Sequence, residues 1–257
     1  MKYSIIGTGN MAWFLAQRLT EAGHKCTGIY GRNAHNARQL AEELDTTTFP
    51  TLSGVSDGND ICFIAVTDHA IPDITSQLYF KHTTLVHTAG SVAMDVLAPH
   101  AAHYGVLWPI GSILKYSLPK DNNIPCVWEA SSDTAKAQLL LAAQAISHTS
   151  YEANSTQRLW LHLTAVMSSN FTNHLMAVCE QICAEQQLPF TILLPILHQI
   201  IDRASDKSPH DLQTGPARRG DTSTIQKHLQ LLQIHPQWAQ VYKALTTSIE
   251  TMYNDKA

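Results

Sequence analysis

Up to residue 151, short continuous apolar runs alternate with longer segments that have the period of amphipathic helices. Continuous apolar runs bounded by glycine or polar residues are typical of parallel strands buried on both faces. The predicted strands are 3–6, 26–30, 60–66, 84–88, 104–108, 124–128 and 147–151. The predicted helices between them are 11–22, 34–44 and 132–146.

The pattern changes at Asn154, after which the apolar spacing is helical throughout. One long helix is predicted over 155–187. Further helices are predicted over 190–204, 222–233 and 236–253, with a polar loop before the second of these. Alternating strands and helices indicate a doubly wound sheet. We therefore predict an α/β fold, with a mostly parallel Rossmann sheet in residues 1–153 and an all-helical domain in residues 154–257.

A glycine-rich motif, Gly7-Thr8-Gly9-Asn10-Met11-Ala12, follows the first predicted strand and opens the first predicted helix. This is the context in which G-x-G-x-x-G/A binds a dinucleotide. The first glycine permits a tight turn, the second has no Cβ to block a pyrophosphate, and the helix N-terminus attracts phosphate. The motif predicts cofactor contacts at Gly7, Thr8, Gly9, Asn10 and Met11.

The end of the second strand indicates which nucleotide is bound. An NAD site has an Asp or Glu about 20 residues after the glycines, where it accepts from the ribose 2′-OH. Here the sequence is Gly31-Arg32-Asn33, without an acid. A guanidinium suits a 2′-phosphate through paired N–H donors. We predict NADP(H) as the cofactor, with contacts from Arg32 and Asn33; the alternative is that Arg32 is a solvated loop residue.

Other ligand contacts are expected at the carboxyl ends of the later strands, where open parallel sheets bind their ligands. Ordinary strand-end turns are the alternative for any one of these residues. His69 and His87 are candidate proton donors or structural histidines. The predicted cofactor contacts are Val66, Thr67, Thr88, Ala89 and Gly90, the last two letting the nicotinamide approach the backbone, and the predicted substrate contacts are Ser91 and Pro109.

Two adjacent arginines, Arg218 and Arg219, lie in the polar loop between Gly215 and Gly220. Paired guanidinium groups bind carboxylate or phosphate with bidentate hydrogen bonds. We therefore predict that the arginines bind a substrate anion or a cofactor phosphate. The alternative is a capping loop with two solvated arginines.

Composition excludes several other classes of function. A formal net charge of −4 provides no basic field for nucleic acid. No apolar run reaches the roughly 18 residues of a membrane span, and no export signal is evident. The five cysteines lie in apolar stretches, which favours reduced thiols. We expect a cytoplasmic protein that acts on a small molecule.

The 14 histidines are scattered without metal-ligand spacing, so we predict no metal site. With 44% hydrophobic and only 15% charged residues, the chain has much apolar surface to cover. The long helix also has a face of small residues that permits close approach. We therefore predict a homodimer built mainly from residues 154–257.

Four segments carry a resemblance to known proteins: residues 7–12, 87–91, 158–175 and 214–229. In them the chain resembles the group of pyrroline-5-carboxylate reductases, deazaflavin-dependent NADP reductases and β-hydroxyacid dehydrogenases. More narrowly, it resembles bacterial proteins that pair a Rossmann-like domain with the domain of unknown function 2520. This resemblance implies an NADP-dependent oxidoreductase with a helical dimerisation domain.

The resemblance also bears on the long helix, where β-hydroxyacid dehydrogenases carry a catalytic lysine and, one turn later, an asparagine. Asn170 resembles that asparagine, but Val166 stands at the position of the lysine. The candidate catalytic residues are therefore Asn170 and His174, one turn further on. Hydrogen bonding between helices of a dimer is an equal alternative for Asn170.

The missing lysine favours imine reduction over the oxidation of a hydroxy acid. We expect an NADP(H)-dependent reductase of a small C=O or C=N compound that bears an anionic group. The alternative is a catalytically silent NADP(H)-binding sensor or interaction protein.

Overall fold

The computed structural model describes residues 1–117 and 124–254, and its first part is a seven-stranded sheet. The strands are β1 (Lys2–Ile6), β2 (Lys25–Tyr30), β3 (Ile61–Ile64), β4 (Thr84–His87), β5 (Tyr104–Pro109), β6 (Cys126–Ala130) and β7 (Ser150–Glu152). Their order is β2-β1-β3-β4-β5-β6-β7. Strands β1 to β5 are parallel, β6 is antiparallel to β5, and β7 is parallel to β6. The predicted mostly parallel doubly wound sheet is confirmed.

Helices α1 (Asn10–Glu21), α2 (Ala34–Glu43), α3 (Ile71–Thr75) and α4 (Asp133–Ile146) accompany the strands. Alternate residues of a strand face opposite sides of a sheet, and the core divides accordingly. Tyr3 and Ile5 belong to a buried cluster with α1, α2 and α4. Ile6 belongs to another, formed with α3 and the 3₁₀ segment Met94–His100. Both faces of the sheet are therefore covered.

The strand boundaries differ from the prediction in ways that matter for ligand binding. The third and fourth strands are shorter than predicted, so Val66 and Thr88 lie beyond the strands, in the turns at their carboxyl ends. Pro125 immediately precedes β6, a position where its missing N–H costs no ladder hydrogen bond.

The second part is helical: α5 (Ser155–Ala165), α6 (Thr172–Glu185), α7 (Leu194–Asp206), α8 (Pro216–Arg219), α9 (Thr222–Leu231) and α10 (Pro236–Asn254). Its start is defined by a capping box, in which the Asn154 side chain accepts from the Gln157 backbone N–H and the Gln157 side chain accepts in return from the N–H of Asn154. The predicted all-helical region is confirmed.

One long helix was predicted over 155–187, but the structure interrupts the α-helix there. Residues Val166–Phe171 form a π-helix between α5 and α6. The hydroxyls of Thr164 and Ser168 donate to the carbonyls of Leu161 and Ala165, which compete with the regular backbone pattern. Single π-turns within α-helices are frequent at functional sites.

The segment predicted as a polar loop before α9 contains the one-turn helix α8. Pro216 occupies its first turn, where proline is favoured, and Gly220 ends it with a left-handed φ of 67°. Arg218 and Arg219 thus lie in the last turn of a helix and not in an open loop.

By its internal contacts the chain divides into two compact units, Met1–Asn170 and Phe171–Ala257. Helix α5 belongs to the first, although its sequence is helical in character. The predicted boundary between residues 153 and 154 marks the change from mixed to helical sequence, and as a functional boundary it stays a prediction. Over the described residues, no helix is long and apolar enough to cross a membrane.

Candidate functional site

A groove of about 850 Å³ runs along the carboxyl ends of β1, β2 and β3. Three segments meet there, as the sequence predicted: the glycine-rich turn, the end of the second strand and the end of the third strand. The predicted cofactor residues that line it are Gly7, Thr8, Gly9, Asn10, Met11, Arg32, Asn33, Val66 and Thr67. The groove is also lined by His69, a candidate proton donor from the sequence, and by three polar residues that the sequence did not single out: Asn36, Asp73 and Gln77.

The two motif glycines have different roles. Gly7 has a φ of 132°, and a Cβ there would lie 2.1 Å from the carbonyl oxygen of Ala65, so this glycine is required for packing of the turn. A Cβ on Gly9 would meet no atom within 4 Å and would point into open space. The first turn of α1 has no side-chain cap and no acidic residue. Its free N–H groups and open space fit a pyrophosphate.

Arg32 fits the phosphate that distinguishes NADP from NAD. The side chain is exposed on the groove, and among the described residues it has no ion pair or hydrogen bond. The neighbouring Asn33 caps α2, since its Oδ1 accepts from the backbone N–H groups of His35 at 3.0 Å and Asn36 at 3.1 Å. The Asn33 amide nitrogen is left to donate to a ligand. An unpaired guanidinium beside a helix N-terminus is a ready site for a phosphate.

The turn after β4 is buried within the first unit. Thr88, Ala89 and Gly90 are buried and do not line the groove. A Cβ on Gly90 would lie 2.6 Å from Cε2 of Trp108 and 2.7 Å from Cδ2 of His162. The space that the missing side chain provides is thus filled by two aromatic rings of this unit. The assignment of these three residues to the nicotinamide stays a prediction.

The predicted substrate contacts of the first unit also differ from one another. Ser91 is exposed, and its hydroxyl donates to the Asp68 carboxylate in the turn after β3. Pro109 is buried as the last residue of β5, where it pairs with Cys126. Ser91 and Asp68 therefore provide the accessible polar groups at this part of the sheet edge.

The histidines proposed as proton donors lie in contrasting environments. His87 is fully buried, and its Nδ1 accepts from the Ala89 N–H at 3.2 Å. Burial, with a smaller contribution from the Arg158 guanidinium, lowers the pKa of His87 from 6.5 to about 3. It is therefore neutral near pH 7 and has no proton to give as an acid. His69 is exposed and lies 3.4 Å from the Thr67 hydroxyl.

The candidate catalytic residues of the long helix are both exposed. Asn170 lies within the π-helix at the end of the first unit, and His174 lies on α6 in the second. Their catalytic roles stay predictions. The π-turn adds local support for Asn170, because it changes the direction of side chains at this position relative to a regular helix.

Arg218 and Arg219 are exposed within the second unit. The Arg218 guanidinium lies 5.1 Å from the centre of the Tyr253 ring, and its Nη1 is 3.5 Å from the Tyr253 carbonyl oxygen. Asp221 caps α9, accepting from the N–H of Thr224 at 3.0 Å. The capping alternative is thus realised by Asp221, and it leaves both arginines available to an anion.

Sequence analysis missed a buried polar network at the junction of β6 and α5. Arg158 is fully buried and ion-paired with Glu129, and it also donates to the carbonyl of Val92. The Ser155 N–H and hydroxyl donate to the same carboxylate at 3.0 and 2.8 Å. The sequence feature that could have indicated this network is Glu129, a lone acid in the otherwise apolar strand β6.

Comparisons with known proteins agree with this geometry. The family model described as NADP oxidoreductase coenzyme F420-dependent matches residues 2–91. The model described as domain of unknown function DUF2520 matches residues 124–249. Among curated proteins, no relative matches the sequence.

Several solved structures share the fold. A proposed NADP oxidoreductase from Bacteroides fragilis is 32% identical, with a TM-score of 0.87 over 97% of this chain and 98% of that one. Pyrroline-5-carboxylate reductase from Streptococcus pyogenes is 15% identical, with a TM-score of 0.67 over 98% of each chain. A reductive aminase from Aspergillus terreus, solved with NADPH and ethyl levulinate, is 14% identical, with a TM-score of 0.73 over 99% and 94%.

The different settings of the two glycines lead to a first prediction. Gly9→Val places a branched side chain in the open space where we expect the pyrophosphate, so NADPH binding should be lost while the melting temperature is unchanged. Gly7→Ala is the matched control, because its Cβ meets the Ala65 carbonyl and should lower the melting temperature. Calorimetric titration with NADPH and thermal unfolding measure both. Near-original NADPH affinity in Gly9→Val would contradict the placement of the pyrophosphate.

The unpaired Arg32 leads to a second prediction. NADPH should bind at least about tenfold more tightly than NADH, equivalent to roughly 1.4 kcal/mol. Arg32→Ala should remove most of that preference and leave NADH affinity unchanged. Arg38→Ala, an exposed arginine of α2 outside the groove, is the control. Fluorescence titration checks this, and equal affinities in the unmodified protein would refute the role of Arg32.

Proposed function

Because the chain belongs to the family of NADP-dependent oxidoreductases that join a Rossmann-type domain to domain of unknown function 2520, we propose that it reduces a small C=O or C=N compound bearing an anionic group. The cofactor supplies the hydride, and the protein binds and orients it. The observation that carries the proposal is the groove with an uncapped helix N-terminus and a free Arg32, next to exposed polar groups on the same sheet edge.

The substrate class follows from the charged groups that remain accessible. Arg218 and Arg219 supply two exposed cations on one helical turn. A carboxylate or similar anion on the substrate would neutralise them through charge-assisted hydrogen bonds. We assign them to the substrate and not to the cofactor, since Arg32 already provides the cation for the 2′-phosphate. Val166 in place of a lysine favours C=N reduction, which needs less help from an acid.

This proposal is tested with purified protein, NADPH and a panel of keto acids and of imines formed from them. Consumption of NADPH supports a reductase. Binding of NADPH without turnover across the panel would favour the alternative of a sensor or interaction protein. With the best substrate, Arg218→Ala and Arg219→Ala should each raise KM by roughly 10- to 100-fold, from the 1.5–3 kcal/mol of a charged hydrogen bond. NADPH affinity should not change.

Arg203→Ala serves as the matched control for the arginine variants, because it removes an exposed arginine from a different helix of the same unit. A loss of NADPH affinity in Arg218→Ala or Arg219→Ala would reassign the pair to a cofactor phosphate. An unchanged KM in both variants would contradict a role in substrate binding.

We also propose that the protein is a homodimer assembled through the helical region. Between Phe171 and Tyr253 the only buried hydrophobic residues are Ala217 and Ile225. Large apolar side chains of this range are exposed instead, among them Phe171, Ile192, Ile196, Ile200 and Ile201, and Trp160 of α5 is also exposed. Apolar surface on this scale marks an interface.

We also propose that the protein is cytoplasmic. Five free cysteines, three of them buried, suit a reducing cytoplasm.

Sedimentation at micromolar concentration should therefore give about twice the 28.4 kDa mass of one chain. Ile200→Asp combined with Ile201→Asp should shift the protein towards monomer, because the charges oppose burial of that face. Leu141→Asp, an exposed leucine on α4, is the control. A monomer in the unmodified protein would refute the dimer.

A further inference from the structure

One histidine of the first unit has no place in the function described so far. His162 lies on α5, one turn after the buried Arg158, and is half-buried. Its ring centre is 5.5 Å from that of Trp108, at an interplanar angle of 49°. The same helix face packs Ala165 against the cluster of Val106, Trp108 and Val127. Helix α5 thus holds the imidazole at the end of β5.

The neighbouring turn places this imidazole at the ligand-binding edge of the sheet. Cδ2 of His162 would lie 2.7 Å from a Cβ on Gly90, so the ring fills the space beside the turn after β4. In open parallel sheets, ligands bind beyond the carboxyl ends of such strands. The next residue, Ser91, is exposed and paired with Asp68. The partly exposed imidazole of α5 therefore lies beside the turn after β4, and two accessible polar groups, Ser91 and Asp68, join that turn to the turn after β3.

The ring nitrogens of His162 distinguish it from the other histidines near this edge. Neither nitrogen has a hydrogen bond or ion pair to any residue in the described part of the chain, where only the ring contact with Trp108 is found. His87 is buried and neutral, and His69 is beside Thr67 in the cofactor groove. His162 combines a fixed ring position, partial exposure and free nitrogens, which is what a proton donor requires.

We propose that His162 is the catalytic acid of the reduction, an inference that rests on the proposed function. When bound, NADPH supplies a hydride to the carbon of the C=O or C=N bond. The π electron pair of that bond moves to the oxygen or nitrogen. The imidazolium of His162 donates a ring N–H proton to that atom, which gives an alcohol or amine, NADP⁺ and a neutral imidazole. The imidazole takes up a proton from solvent before the next turnover.

Trp108 and Gly90 act as positioning residues in this arrangement. The indole supports one side of the imidazole, and only glycine at residue 90 leaves room for both rings. Gly90→Ala should therefore displace the imidazole, with a lower kcat and little change in NADPH affinity. In the double variant Gly90→Ala with Trp108→Phe, the smaller ring leaves room again, so part of the lost kcat should be recovered.

The position of His162 can be tested without turnover. In protein labelled with ¹⁵N at the histidine rings, the His162 resonances are identified by their loss in His162→Gln. Addition of NADP⁺ should shift them, because the nicotinamide binds beside the imidazole. The exposed His82 is the control, because it lies beside the amino end of β4 and should not respond. Unshifted His162 resonances at saturating NADP⁺ would overturn the proposal.

The chemical role is tested on the best substrate of the panel. His162→Gln should lower kcat by about 10²- to 10⁴-fold, the usual contribution of a general acid, with NADPH affinity and melting temperature unchanged. His82→Gln should retain full activity. In His162→Ala, added imidazole should restore part of the rate, which loss of a merely structural side chain would not allow.

The outcomes separate this proposal from the function on which it rests. Turnover with an unchanged kcat in His162→Gln would overturn the acid and leave the reductase intact. Absence of turnover in the unmodified protein would overturn the proposed reduction, and with it the proton transfer, while the NADP⁺-dependent spectrum would still decide where His162 lies. If His162→Ala does not fold, His162→Gln decides the kinetic outcome.

Discussion

The proposed substrate end of the site depends on one buried ion pair, between Arg158 of α5 and Glu129 of β6. A buried charge that loses its partner costs about 3–5 kcal/mol, so the helix cannot shift along the strand without a large penalty. Ser155 reinforces the pair by donating twice to the carboxylate, and its hydroxyl also accepts from the N–H of Met94. The first turn of the helix is thereby joined to the segment after β4.

What this pair provides is geometry more than stability, since buried ion pairs are often no better than apolar packing. Residues four apart lie on one helix face. Once Arg158 is fixed, His162 must lie over the ends of β4 and β5. Gly90 then leaves the space for the imidazole, and Trp108 supports it. The position of the His162 ring therefore follows from an interaction one turn away.

The nucleotide half of the site could be predicted from sequence because it is built from the backbone. Gly7, Gly9 and the start of α1 belong to one short segment, and the local pattern of strand, turn and helix is enough to place them. Arg32 could be found in the same way, since it follows the neighbouring strand directly. Each of these positions depends on contacts that are close in sequence or that the strand order brings together.

The proposed substrate half was harder to predict because its contacts are distant in sequence and run against residue statistics. An arginine is usually exposed, so nothing marked Arg158 as buried, and its partner Glu129 lies in another element. The two rings that lie beside Gly90 could not be predicted, because the direction of a missing Cβ is not visible in a sequence. The π-turn at Asn170 could not be predicted because the apolar pattern around it is strongly helical. It accompanies hydroxyl groups, such as that of Thr164, that compete with backbone N–H groups for carbonyl oxygens.

These two halves make different chemical demands. Nucleotide binding needs free N–H groups, space and a cation, all of which a loop and a helix end provide. Reduction of a double bond also needs a proton at the heteroatom that receives the electron pair. At this sheet edge His87 is neutral by burial and no lysine stands on the long helix, and we assign that proton to the His162 ring, which tertiary contacts hold in place. With that assignment, the buried Arg158 that fixes α5 supports the proposed site, as the motif glycines do at its nucleotide end.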